Sequence, residues 1–460
     1  MTSLAPAVVI GAGISGLVCA YALNKAGIDA LVLEASPRAG GVICSERRDG
    51  FLLELGPQSF SGTASLHDLC GELGLADRLL QAPANAPRYV LIDGGLKEVP
   101  LNPAAMLATS LLSASTKWKF ARDAFGTSSA PEYDESVAAF VRRKFGAELL
   151  DRLAAPFVSG IYAGDPERLS LRSAFPQLHD AEKSAGSVIR GMKRAAKSRK
   201  GPRERPTLLS FRDGNATLVR ALAEKLGSKL HLGAEVRAIV VRRDAGNIRF
   251  ELRARQAGTE EALSADRLVL ATPANVAGAL LRDANAAFEP VLGAIEYAPV
   301  AVVSLGYRRE DVGHSLQGFG FLAPRSSGLR VLGCVWNSSL FVDRAPAGQV
   351  LLTSFIGGAT DPNAASLSAA EDLRELVHCE LAPLLQISAT PIFSHAQVYR
   401  HALPQYNIGH SERLIALQRL RAELPGLFFV GNYLRGPSIG NCVDLGMEVA
   451  EDIAKLSRST

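Results

Sequence analysis

The chain has 460 residues, 50 Lys and Arg against 46 Asp and Glu, and is 47% apolar and 21% charged. These are ordinary globular values that exclude wholesale disorder, and at ~150 residues per domain the length corresponds to about three domain equivalents. A net charge of +4 gives no electrostatic reason to expect a nucleic-acid partner, and 42 glycines point to many tight backbone turns.

Ala7-Val8-Val9-Ile10 is a β-branched run expected as a buried strand. Gly11-Ala12-Gly13-Ile14-Ser15-Gly16 follows at once, then a helical stretch from Leu17 to Ala26 that Gly27 is suited to end. Ala30-Leu31-Val32-Leu33 predicts a second strand, which ends at Glu34. Strand, glycine turn, helix, strand and acid are the parts of a dinucleotide site. Gly11 permits the tight turn, Gly13 lets backbone approach a pyrophosphate, and Gly16 lets helix and strand pack closely. The pyrophosphate is held at the helix N-terminus, where free N–H groups and the dipole favour negative charge. Glu34 stands 18 residues beyond Gly16, a spacing that suits a ribose acceptor, and its charge disfavours a ribose phosphate. Ala35-Ser36-Pro37-Arg38-Ala39-Gly40-Gly41-Val42 completes an E-x-x-x-R-x-G-G segment. It resembles the segment of amine oxidase superfamily flavoproteins that lines an extended FAD. Glu54-Leu55-Gly56-Pro57-Gln58-Ser59 resembles the stretch that passes the isoalloxazine.

Residues 85–97 predict a hairpin with Asp93-Gly94 at its turn. From about Pro103 to Gly160 the pattern is helical and apolar, led by Met106, Leu107, Leu111, Leu112, Trp118 and Phe120. A helix pair with its apolar side on a core is the reading we favour there, with docking on a membrane surface as the alternative. Residues 190–205 carry eight basic residues and one acid, Glu204. They are expected to form a solvated, mobile loop, with attraction to anionic lipid or an acidic substrate the lesser reading. Asn215–Leu226 is a predicted helix, Leu230–Val236 a strand, and Arg237–Val241 and Ile248–Arg253 alternate as antiparallel strands do. At Arg267–Pro273 the chain re-enters the cofactor domain, and strands are expected at 298–307 and 350–358. Gly426–Tyr433 reads as an apolar strand ending in glycine, Gly436–Cys442 as a loop, and Val443–Leu456 as a helix whose N-terminus could stabilise charge on a reduced flavin.

Six scattered cysteines without a C-x-x-C argue against a disulfide scaffold or zinc site, and the histidine spacing suggests no metal. No apolar run approaches the ~18–20 residues that span a bilayer. Met1–Pro6 lacks the basic region of a signal peptide, so a reducing cytoplasm is the expected compartment.

Pro156-Phe157-Val158-Ser159-Gly160-Ile161-Tyr162-Ala163-Gly164-Asp165-Pro166, then Leu169–Pro176, Leu208–Gly214, Gln317–Pro324, Leu403-Pro404-Gln405-Tyr406 and Gly431–Gly446 resemble, in order, the segments of the oxygen-dependent protoporphyrinogen oxidases. The resemblance runs over essentially the whole chain. It implies an α/β (α+β) fold: a discontinuous Rossmann-type FAD domain, a p-hydroxybenzoate-hydroxylase-like substrate domain and a helical, membrane-facing insertion. The expected divisions are 1–84, 207–275 and 401–460 for the FAD domain, 85–206 for the helical insertion and 276–400 for the substrate domain. It also implies non-covalent FAD, a porphyrinogen substrate and molecular oxygen as acceptor.

Carried over residue by residue, the cofactor site comprises Gly11, Ala12, Gly13, Ile14, Ser15, Gly16, Glu34, Ala35, Arg38, Gly41, Val42, Gly56, Pro57, Gln58, Ser59, Val236, Gly431, Asn432, Pro437, Ser438 and Ile439. Arg88 matches the Arg that pairs with a substrate propionate, and Leu322, Val335 and Phe355 match apolar positions around the pyrrole rings. Gly160 matches the glycine whose carbonyl faces a pyrrole. Val335 stands where Leu is usual, and Gln58 at a variable position. No residue is assigned as a catalytic acid or base and none as a metal ligand, because the flavin takes the hydride and aromatisation drives the loss. Three other readings stand beside this one: the same chemistry on coproporphyrinogen III, an amine oxidase or desaturase of the same fold, and a non-catalytic flavin-bound partner in haem synthesis. Whether the chain is a homodimer or lies on the inner face of a membrane is left open by the sequence.

Overall fold

The computed structural model describes residues 3–100, 103–198, 208–244, 247–364 and 370–458. Its first sheet is built on the N-terminal strand Ser3–Ile10, which pairs in parallel with Ala30–Glu34 on one side and with the end of Thr259–Leu270 on the other. Leu230–Leu232 adds to Ala30–Glu34 and Leu427–Phe429 to Thr259–Leu270, both in parallel. Asn247–Gln256 and Ala234–Asp244 extend the sheet antiparallel.

Ala7, Val8 and Val9 are fully buried because the sheet is covered on both faces, as parallel sheets require. Alternate side chains enter opposite cores. Val9, Val32 and Val269 pack under the helices Ile14–Lys25, Ala216–Leu226 and Ile439–Arg458. Val8, Leu33, Leu268 and Leu270 pack against Ala274–Leu280, Phe288–Gly293 and His410–Ala422.

The second sheet has the order Phe393–Pro404, Tyr297–Arg308, Gln349–Gly357, Val331–Trp336, Gly320–Leu322, Arg88–Ile92, Gly95–Glu98. It is antiparallel except where Arg88–Ile92 runs parallel to Gly320–Leu322. The hairpin expected at 85–97 forms its edge, with Asp93 and Gly94 both at positive φ, as the two central positions of a type I′ turn require. One face of the sheet packs on the helix Ala370–Leu385 through Leu305, Trp336, Leu373 and Leu381. Strand Phe393–Pro404 stays in this sheet through Pro404, beyond residue 401 where the sequence suggested the chain would leave it.

The helical region between the hairpin and residue 198 is held by buried charge. Lys144 Nζ, 7% exposed, lies 2.6 Å from Asp123 and 3.1 Å from Glu182, while Arg143 bridges Glu135 and Glu182. Leu111 and Leu112 are buried in the turn between the helices Pro103–Ala108 and Ala114–Phe125, and Phe120 stacks on Phe145. Trp118 is 71% exposed and Phe125 89%, and their spacing of seven puts both on one outward face. The expected loop at 190–205 is corrected in its first part. Val188–Ser198 is a helix, capped where Asp123 accepts from the Ser187 hydroxyl and the Ile189 N–H. It crosses Pro176–Ala185 so closely that a Cβ on Gly191 would lie 2.2 Å from the Ala181 carbonyl oxygen. Residues 199–205 lie outside the described ones.

Where the sheets meet, a polar network is buried. The Glu54 carboxylate accepts the Ser45 hydroxyl at 2.6 Å and the Asn215 N–H at 2.8 Å. Asn215 donates to the Pro57 carbonyl and accepts from Ser210, whose hydroxyl in turn accepts from Arg344. Gln58 donates to the Glu54 and Gly56 carbonyls and accepts from Asn337 at 2.7 Å. Burial pushes the Glu54 carboxyl up to about 7, against the opposing pull of the Ser45 hydroxyl, the Arg344 charge and the Asn215 N–H. A pKa raised by folding means that the fold favours the protonated acid. The stability from this group is complete below about pH 4.5 and is lost as pH rises through 7, a change of about 3 kcal/mol. Urea unfolding from pH 4.5 to 8 should therefore show Glu54→Gln gaining on the wild type as pH rises. A constant difference between the two across that range would show that the carboxyl titrates normally.

Candidate functional site

The first glycine turn is shaped by packing on one side and space on the other. Gly11 has φ +104°, and a Cβ there would lie 2.9 Å from the Ala271 carbonyl oxygen. A Cβ on Gly16 would sit 2.1 Å from the Gly11 oxygen, so the helix can start this close to the strand only with glycine. Gly13 is different: an added Cβ would meet nothing within 4 Å. The turn thus offers open backbone at the N-terminus of the helix Ile14–Lys25, which is what a pyrophosphate needs. Ala12, Ile14 and Ser15 are buried around it. Glu34, at the end of its strand, accepts the Ala12 N–H at 2.7 Å and the Ser36 N–H at 2.8 Å. Each oxygen keeps acceptor capacity for a ribose hydroxyl.

Further segments close on the turn. Gly40 donates to the Ala12 carbonyl, and a Cβ on Gly41 would lie 3.5 Å from Gly13 Cα. Arg38 donates to the Gly41 carbonyl at 2.7 Å, and Ala35 and Val42 are exposed beside it. A Cβ on Gly56 would sit 2.0 Å from the Val42 oxygen, so the Gly56–Ser59 stretch runs directly against Val42. Pro57 is anchored by Asn215 and Gln58 by Asn337. Val236 lies near the far end, on a strand that starts beside the Gly233 N–H to Ser36 carbonyl bond. Gly431 (φ +147°) and Asn432 follow the strand Leu427–Phe429. The closing helix starts at Ile439 rather than Val443, because the Ser438 hydroxyl accepts the Asn441 N–H and caps it. Pro437 precedes this cap, and Gly440 in the first turn packs 3.0 Å from the Ser61 oxygen, measured from an added Cβ.

The second sheet presents an ordered apolar face. Arg88, Gly320 and Val335 are in cross-strand register, and so are Leu322, Gly333 and Phe355. Residues two apart in a strand share a face, so Arg88, Leu322, Val335 and Phe355 all lie on the same side. Tyr89, Phe321 and Cys334 point the other way, into the core under Ala370–Leu385. A glycine separates the side chains in each row, and Leu322 Cδ2 leans over Gly333, 3.0 Å from where its Cβ would be. The helix Ala155–Tyr162 lies over this face, where a Cβ on Gly160 would come 2.7 Å from Leu322 Cδ2. The Arg88 guanidinium is exposed, 5.7 Å from the Phe319 ring centroid. An open cleft of about 420 Å³ lies at the foot of its strand, lined by Pro83, Pro87, Gln317 and Ser339.

The structure therefore gathers the expected cofactor residues along one connected rim and the expected substrate side chains on one sheet face. Among the described residues no cluster of three His, Cys, Asp or Glu could hold a metal. Sequence reading missed Asn215 as an anchor, Arg344 and Asn337. Asn215 carried a local signal as the first residue of a predicted helix, but its side chain reaches Pro57 and Ser210 instead of capping that helix.

Residues 14–454 match the family model for flavin containing amine oxidoreductases. The chain is 36% identical to the chloroplastic protoporphyrinogen oxidase of Nicotiana tabacum, over 97% of this chain and 85% of that one. The chloroplastic enzyme of Oryza sativa is 37% identical, over 98% and 88%. The coproporphyrinogen III oxidase of Bacillus subtilis is 29% identical over 97% of both. A crystal structure from Exiguobacterium sp. 255-15, described as a "Putative protoporphyrinogen oxidase", superposes with a TM-score of 0.81 at 26% identity, covering 99% of each chain. The chain belongs to the flavin-containing amine oxidoreductase family and, within it, to the protoporphyrinogen oxidases.

Proposed function

We propose that this chain is an FAD-dependent oxidase that converts protoporphyrinogen IX to protoporphyrin IX with molecular oxygen, releasing hydrogen peroxide. The observation that carries the reading is the sheet face that Arg88 shares with Leu322, Val335 and Phe355. An apolar sheet face with one cation at its edge suits a flat, apolar macrocycle with carboxylates at its edge. The relatives named as protoporphyrinogen oxidases support the same reading.

FAD, when bound, supplies the two-electron acceptor chemistry. The chain's residues hold and orient. The N–H groups from Gly11 to Gly16 and the helix behind them take the pyrophosphate, and Glu34 takes the ribose. Arg88 pairs with a propionate through its two-pronged fork. Leu322, Val335 and Phe355 keep water from the reacting carbons, and no acid or base has to be placed because aromatisation drives the oxidation. Three two-electron steps remove six hydrogens and reduce three oxygen molecules to peroxide. In domain terms, 1–84, 207–275 and the stretch after Pro404 form the cofactor unit, with the rest carrying substrate. The exposed Trp118 and Phe125, with the basic helix Val188–Ser198 packed nearby, support peripheral contact with a membrane surface; no described helix is long and apolar enough to cross one.

The assay that decides the substrate mixes purified protein with protoporphyrinogen or coproporphyrinogen and follows porphyrin fluorescence and peroxide. Faster turnover of coproporphyrinogen would transfer the reading to the four-carboxylate substrate, as the name of the Bacillus subtilis relative suggests. Flavin-bound protein that makes no peroxide with either would end it.

Gly13→Ala separates folding from cofactor binding. Gly13 has φ −67° and free space around it, so alanine fits the folded chain. The methyl group would occupy the room that backbone offers a pyrophosphate. Tenfold or greater loss of FAD affinity, about 1.4 kcal/mol or more, is expected with an unchanged apoprotein melting temperature. Titration of apoprotein with FAD checks this.

Arg88→Ala should raise KM for protoporphyrinogen about thirty- to a hundred-and-fifty-fold, the loss of roughly 2–3 kcal/mol of charge-assisted hydrogen bonding. kcat should fall less, because the propionate is remote from the reacting carbon. Arg88→Lys should recover only part, since an ammonium lacks the fork. Steady-state kinetics on both variants test it, and an unchanged KM would place the carboxylate elsewhere.

A further inference from the structure

Past Gly431 the chain leaves the first sheet. Its last sheet bond is the Val430 N–H to the Leu270 carbonyl. The two carbonyls that follow, of Asn432 and Tyr433, are held by side chains instead. The Tyr406 hydroxyl donates to the Asn432 oxygen at 2.5 Å, and His410 Nε2 lies 3.0 Å from the Tyr433 oxygen. A carbonyl can only accept, so Nε2 carries the hydrogen and Nδ1 is the bare acceptor. Nδ1 has no hydrogen-bond partner among the described residues. Burial pushes the imidazole down to about 4, which keeps this neutral tautomer through the neutral range.

The two donors act as one unit. Their rings stack at 4.3 Å with only 11° between planes, and both side chains are almost wholly buried. The base of the unit is fixed on the substrate side. The Tyr406 carbonyl accepts the Ser170 N–H. Gln405 Nε2 donates to the Tyr162 carbonyl at 2.9 Å, and the Tyr162 ring lies 5.7 Å from that of Tyr406. Tyr162 is two residues beyond Gly160, on the helix that packs over Leu322.

We infer that Tyr406 and His410 are positioning residues: a stacked strut that fixes the Asn432 and Tyr433 peptides and ties them to the end of the substrate-covering helix. The inference rests on the flavin and substrate assignments above and concerns how the two are kept in register. Neither side chain needs to touch a reacting atom. The strut prevents two facing surfaces from sliding, which matters because sub-ångström misplacement is costly in a reaction governed by proximity.

The test uses the flavin-loaded full chain. Tyr406→Phe keeps the ring stack and removes one donor. It should retain full flavin stoichiometry, yet shift the visible absorption bands and midpoint potential of the bound flavin. Anaerobic reduction by protoporphyrinogen should slow about tenfold, with KM changed less than about twofold. His410→Gln retains an N–H for the Tyr433 carbonyl and should stay near wild type, whereas His410→Leu should reproduce the spectral shift. Variants that lose only thermal stability, with unshifted flavin bands, potential and reduction rate, would make the pair ordinary core and overturn the strut. So would a His410→Gln as impaired as His410→Leu. The spectral and potential readouts need only bound flavin, so a wild type that oxidises no porphyrinogen would overturn the substrate assignment while leaving the strut to be judged by them. A wild type that binds no flavin would overturn both.

Discussion

The buried polar network around Glu54, Asn215 and Arg344 is the constraint on which the relation of the two sheets depends. Three stretches meet there, at residues 45–58, 210–216 and 337–344, and no short-range pairing could bring them together. Buried polar groups are costly when left unpaired, so a network of this kind admits few arrangements. Its members do not act alone. Asn215 holds the Pro57 carbonyl, and Asn337, two residues beyond Val335, holds Gln58. The stretch expected to pass the flavin is thus bonded directly to the end of a substrate strand. Burial also lowers the pKa of the Arg344 guanidinium, with the Glu54 charge acting in the opposite direction. The two groups are joined by a chain of hydrogen bonds through Asn215 and Ser210.

The two sheets divide the work by construction. The first is covered on both faces and carries its functional groups at strand ends and in turns, as the crevice of an open α/β sheet does. The second has one face sunk in the core under Ala370–Leu385 and the other exposed to the helix Ala155–Tyr162. Its glycines are set by close backbone packing. At Gly320, φ is +131° and a Cβ would lie 2.0 Å from the Cys334 carbonyl oxygen, so the strand requires glycine for its own geometry. The same glycine keeps the strand in register between Arg88 and Val335.

What could be read from the sequence follows from the range of the interactions involved. The first glycine turn, its helix and Glu34 were legible because strand, turn, helix and acid lie within 34 residues. The hairpin turn at Asp93-Gly94 was legible for the same reason. The helix Val188–Ser198 was not, because a dense run of positive charge resembles a solvated loop. Asp123, far away in sequence, caps it, and the crossing at Gly191 packs it down. The start of the closing helix was missed by four residues, since Gly440 in its first turn looks like loop. Arg344 and Asn337 gave no local signal, their partners being more than a hundred residues away. The sharing of one face by Arg88, Leu322, Val335 and Phe355 depends on strand register, which composition and spacing do not encode locally.

The distribution of unpartnered buried atoms adds a last constraint. Among the described residues, eleven buried side-chain atoms lack a hydrogen-bond partner. Four of them lie where the sheets are joined: Asn337 Oδ1 and Arg344 Nη1 in the Glu54 network, and Gln405 Oε1 and His410 Nδ1 at the Tyr406 and His410 stack. Such atoms are few in folded proteins, and each costs on the order of 1–3 kcal/mol. Packing at the joints is thus kept at the expense of local satisfaction, where an apolar seam would be simpler to build. An apolar seam could slide without breaking any directional contact. A hydrogen-bonded one cannot, because every displacement breaks bonds of fixed geometry. For a site that needs no catalytic acid or base, the orientation of two surfaces is most of what the protein contributes, and directional bonds are the means of fixing it.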